Sequence, residues 1–124
     1  MANWPERALT ALTVYMERGV RALEFIRSEQ WDDVDTVLNM RKAAFHNFRA
    51  ADHMAQMDGQ TAENEAKLKQ IWGQIAKVDR DLLDEMVMAQ QKMEVEMLRM
   101  AKVKTMIGRF KSGQIQESKM EKPV

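Results

Sequence analysis

The sequence predicts an all-α protein, an antiparallel three-helix bundle or coiled coil whose long third helix overhangs the first two. Three observations carry that expectation. The 124 residues include only five glycines and two prolines, with few β-branched runs, so turn and strand signals are scarce. Apolar residues recur at helical spacing along most of the chain. Residues 62–110 contain no proline and carry one stripe: Leu68, Ile71, Ile75, Val78, Leu82, Met86, Ala89, Met93, Met97, Met100, Val103 and Ile107. Its mean step is about 3.55 residues, between the coiled-coil and straight-helix periods. At 1.5 Å per residue such a helix is about 70 Å long, roughly twice what the other helices can cover.

The first helix is expected over about 5–28. Pro5 suits a first turn, where its missing N–H costs nothing, and Glu6 favours the positive end of the helix dipole. Leu9, Leu12, Met16, Leu23 and Ile26 form its stripe, with Gly19 at a position where a close helix crossing would fit. The second helix is expected over 31–57, with Asp32, Asp33 and Asp35 in its first turns. Its apolar face reads Trp31, Val34, Val37, Leu38, Phe45, Phe48, Ala51 and Ala55. Asp58-Gly59-Gln60 supplies the next turn, and Thr61 caps a third helix over 62–111. Short connections make neighbouring helices antiparallel. Residues 1–111 are thus expected as a single helical bundle domain packed through Trp31, Phe45, Phe48, Ile71, Ile75 and Leu82, with 112–124 a flexible tail.

Composition narrows the function. No cysteine is present, which excludes disulfides, thiolate metal sites and a cysteine nucleophile. No apolar run approaches a membrane span, and the first residues lack a basic-then-apolar leader, so a cytoplasmic protein without membrane insertion is expected. His46 and His53 share a helix face without a third ligand. The clusters Asp32/Asp33/Asp35 and Asp79/Asp81/Asp84/Glu85 lack both the Glu-x-x-His pairing of bundle metal sites and the glycine of a calcium loop. Helix-start acids and a solvated face account for them. No phosphate loop, nucleophile elbow or nucleotide fingerprint occurs. The sequence therefore predicts no enzyme, no catalytic residue, no cofactor and no metal.

Net charge is zero, but residues 99–124 hold seven cations and two acids. The basic patch Arg99, Lys102, Lys104, Arg109 and Lys111 complements a helix C-terminus and suits an acidic protein partner better than nucleic acid, since no DNA-reading motif accompanies it. Twelve methionines are present, six of them among residues 86–106. Methionine is flexible and polarizable and adapts to irregular surfaces. The overhang is accordingly expected to bind protein through Val87, Met93, Met97, Leu98, Met100, Ile107 and Phe110. Two occupants fit: a second copy, giving a homodimeric helical scaffold or adaptor, or the helix of another protein.

Glu29-Gln30-Trp31-Asp32 followed by Val34, Val37, Leu38 and Arg41 resembles the second-helix pattern of the FliT-type flagellar export chaperones. Ile71, Ile75, Val78-Asp79 and Leu82, with Glu94 and Glu96 before Leu98, resemble that family's third helix. The closing Met106-Ile107-Gly108-Arg109-Phe110-Lys111 is similar to the family ending, which usually has tyrosine where this chain has Phe110. The FlgN-type flagellar chaperones share much of the pattern. The resemblance spans about residues 8–112. It implies a cytosolic type III export chaperone that holds the C-terminal helical part of the filament-cap protein, or of a hook-associated protein, before export. It also implies contact with the export apparatus. Residues 112–124 are too short and polar to copy the masking fourth helix of some relatives.

Overall fold

The computed structural model describes residues 3–119, with side chains described as far as residue 112. Three helices account for the described chain: α1 (Trp4–Arg27), α2 (Trp31–Asp58) and α3 (Ala62–Lys119). The expected all-α class is thus present, with no strand among the described residues.

Each boundary has a local cause. Asn3 caps α1, its side-chain oxygen accepting from the Glu6 N–H at 3.2 Å, with Pro5 inside the first turn. At the other end Glu29 takes a left-handed φ of 58°, while its N–H donates to the Ile26 carbonyl and that of Gln30 to the Phe25 carbonyl. These two bonds form a Schellman closure, built here on glutamate instead of the usual glycine. The Asp32 and Asp33 carboxylates lie in the first turn of α2, and Gly59 ends that helix at φ 89°. Thr61 opens α3, its hydroxyl oxygen accepting from the Asn64 N–H at 3.1 Å.

The end of α3 departs from expectation. The helix continues to Lys119 instead of stopping near 111. Ser112 and Gly113 have low helix propensity, but neither blocks the backbone bonds, and the first proline after them is Pro123. The expected flexible tail therefore includes residues that are helical, while 120–124 lie outside the described residues.

The chain divides into two units, Met1–Met86 and Val87–Val124. In the first, one cluster joins Ala8 and Leu12 of α1, Phe48 and Ala51 of α2, and Leu68 and Ile75 of α3. A second joins Ala22, Leu23 and Ile26 with Val34, Val37 and Leu82. Leu12 and Ile75 are fully enclosed, each burial contributing about 1.5–3 kcal/mol. Alanines 8, 22, 44, 51 and 55 are also buried, and their small side chains let the backbones approach.

Between the clusters lies one charged residue, Arg41, only 7% exposed. Its Nε donates to the Tyr15 carbonyl at 3.0 Å, its guanidinium lies over the Tyr15 ring at 3.9 Å, and Nη2 meets Asp79 Oδ1 at 2.7 Å. A Cβ on Gly19 would stand 2.8 Å from both Arg41 Nη2 and Val78 Cγ1, so any larger residue would have to displace these side chains from the crossing. Arg41 thereby ties α1, α2 and α3 together.

Of the residues expected to pack the helices, Phe48, Ile75 and Leu82 are buried, and Phe45 and Ile71 pack against the first cluster. Trp31 is a correction. It is the first residue of α2, 37% exposed and in neither cluster, because no earlier turn of α2 stands beside it to complete its cover.

Candidate functional site

The second unit reverses the usual placement of apolar side chains. Every residue from 90 to 112 is exposed, while the stretch remains α-helical throughout. The seven residues expected to bind a partner are all open to solvent: Val87, Met93, Met97, Leu98, Met100, Ile107 and Phe110, with Met97, Leu98 and Met100 each exposed by two thirds. Met88, Val95, Val103 and Met106 share that exposure.

These side chains do not form one face. At about 100° per residue, Met93, Met97, Met100 and Ile107 fall within about 40° of a common line, together with Lys104 and Lys111. Val95, Leu98 and Met106 lie on roughly the opposite side, together with Arg99, Lys102 and Arg109, and line a shallow open strip. Val103 and Phe110 occupy one flank between the two lines. The expected basic patch is thus corrected to two sets of cations on opposite sides, because residues 99, 102 and 109 are out of phase with 104 and 111. Val87 and Leu98 likewise separate from the methionine face. Reading the sequence for one stripe missed Val95 and Met106, which the same angular count, applied to the other side, picks out.

The local electrostatics follow from the same segment. Residues 87–119 carry seven cations (Lys92, Arg99, Lys102, Lys104, Arg109, Lys111, Lys119) and three acids (Glu94, Glu96, Glu117), a net +4. Residues 1–86 carry 11 cations and 15 acids, a net −4. Within the helix, the Gln90 side chain donates to Glu94 at 3.4 Å and the Thr105 hydroxyl to the Ala101 carbonyl at 3.0 Å. Neither bond screens the apolar side chains.

An exposed helix that is apolar on two sides suits association with other helices, since such a surface is normally covered. His46 and His53 are both exposed in α2. Among the described residues, no group of three or more His, Cys, Asp or Glu side chains could hold a metal ion. No described helix is long and apolar enough to cross a membrane. No family model matches the chain, and neither does any curated protein or solved structure.

Proposed function

We propose that this protein is a cytoplasmic chaperone of the flagellar type III export pathway, FliT-type or FlgN-type. It binds a helical segment of the filament-cap protein or of a hook-associated protein, and keeps that segment unassembled before export. The observation that carries the reading is the exposure of Met93, Val95, Met97, Leu98, Met100, Val103, Met106, Ile107 and Phe110 along one continuous helix. Methionines there adapt to the irregular side chains of a cargo helix, and burial contributes about 25 cal/mol per Å² of apolar surface removed from water. The flagellar assignment comes from the sequence resemblance around Trp31-Asp32, Arg41, Val78-Asp79 and residues 106–111.

In this reading the first unit is an antiparallel three-helix bundle past which the third helix extends. The order of contacts supports it: Ala8 and Leu12 of α1 share a cluster with Ile75, while Arg27 at the end of α1 pairs with Glu85 at 3.3 Å. Along α2 the order is reversed, Arg41 meeting Asp79 and Phe48 meeting Trp72. Arg41 and Asp79, two residues that carry the resemblance, are thus partners in one ion pair.

The test is capture of the filament-cap C-terminal segment, or that of a hook-associated protein, by the purified chain. Binding is expected to disappear when Met93, Met97 and Met100 are changed to Gln. Capture of neither segment overturns the export reading. A homodimer that persists undiminished in excess cargo favours the scaffold alternative.

A further inference from the structure

Residues 93–110 carry a seven-residue pattern whose charges distinguish one pairing geometry from another. Met93, Met100 and Ile107 recur every seven residues, as do Glu96, Val103 and Phe110 three positions later. These are the two inward-facing positions of a two-stranded coiled coil, conventionally a and d. All six are solvent-exposed, so the seam is open along its whole length. Five of the six are apolar and one, Glu96, is charged.

We propose that this face pairs with the same face of a second copy, antiparallel, with Met93 of each chain beside Phe110 of the partner subunit.

The charges exclude the parallel alternative. In parallel register Glu96 would face Glu96 of the partner subunit inside the seam. The flanking Arg99 would also face Lys104 of the partner subunit, a cation against a cation. Each conflict would occur twice or on the axis, and Lys92 and Arg99, four residues before and three after Glu96, belong to its own helix in either orientation and so do not distinguish the two. The antiparallel arrangement removes both. Layers then pair Met93 with Phe110, Glu96 with Ile107 and Met100 with Val103, each from opposite chains. Glu96 enters the seam beside Ile107 of the partner subunit, between that helix's Lys104 and Lys111, where its charge is matched. Arg99 meets Met106 of the partner subunit, which carries no charge. One acidic seam position and two flanking lysines therefore select the orientation, as single polar seam residues do in other coiled coils. The seam shares Met93 and Met100 with the proposed cargo face, so a cargo helix would take the place of one copy, and the pairing is a property of the chain without cargo.

The chain has no cysteine, so introduced thiols report geometry without interference. Two single variants, Met93→Cys and Phe110→Cys, are purified at full length and mixed under mild oxidation. A disulfide joining one chain of each kind is expected. Each variant alone should give less than a tenth of that product, because like positions are about 25 Å apart along antiparallel helices while a disulfide needs Cα atoms within about 7 Å. Efficient cross-linking of Met93→Cys with itself would overturn the orientation. A mixture that stays unlinked, or that sediments as monomer at about 100 μM, would overturn the pairing. Charge reversal gives a second readout. The variant E96K and the variant K104E/K111E should each lose self-association at least tenfold, yet form a mixed dimer with one another, because both Glu–Lys layers are restored in that pair. Failure of the two to pair would contradict the assignment of Glu96. All these positions are exposed, so far-UV circular dichroism should show unchanged helicity.

Discussion

Residues 68–82 and residues 93–107 belong to the same α3 and carry nearly the same apolar spacing, yet they meet opposite fates. In the first stretch Leu68, Ile75 and Leu82 are buried among α1 and α2 side chains. In the second Met93, Met97, Met100 and Ile107 face solvent. Residue choice accompanies the difference. Leucine and isoleucine, with few rotamers, fill the enclosed layers, whereas flexible methionine dominates where no fixed neighbour defines a shape. Helical periodicity by itself states which side of a helix is apolar, and the partner that covers it is a separate matter.

The contrast is sharpest in unfolding free energy. Ile75→Ala removes a fully enclosed side chain and is expected to lower stability by about 2–5 kcal/mol, read by urea denaturation. Met97→Gln, at a site 68% exposed, is expected to change it by no more than about 0.5 kcal/mol. A large loss at Met97 in the isolated monomer would erase the distinction between the two stretches.

A smaller effect tests the crossing that holds the first unit together. Gly19→Ala gains about 1 kcal/mol in helix propensity. Its new methyl group, however, meets Arg41 Nη2 and Val78 Cγ1 at 2.8 Å, an overpacking cost of about 1–3 kcal/mol. The expected balance is a net loss of about 1 kcal/mol. A stabilised Gly19→Ala would show that Arg41 can move aside, so that the ion pair to Asp79 does not fix the crossing.

Much of this architecture is legible in the sequence because local signals agree. Pro5, Gly59 and Thr61 mark helix ends by backbone chemistry alone, and the elements begin and end within a residue or two of those marks, apart from the C-terminus of α3. That end was hidden because Ser112-Gly113 weakens a helix without stopping it. The resemblance includes Arg41, but its place as a buried tie between helices was equally hidden. A cation on an otherwise apolar helix face reads as solvated until tertiary contacts bring Tyr15 and Asp79 to it, at separations of 26 and 38 positions. Trp31 misled in the other direction, since its size suggests core while its place at a helix start leaves it open. For the docking surface, the identities of Met93, Met97, Met100 and Ile107 follow from their spacing, and their exposure from a third helix too long for the first two to cover. The division of the apolar and basic residues between two sides needed the angle of each position, which one chosen stripe conceals.

The central claim is that the second half of α3 is a protein-docking surface and the first half is core. The most direct test labels the methionine methyl groups and follows their NMR signals as the filament-cap C-terminal segment is titrated in. The account predicts that Met93, Met97, Met100 and Met106 shift or broaden, while Met16 and Met54 in the first unit stay in place. Shifts confined to Met16 and Met54, with the residue 93–106 signals unmoved, would contradict it.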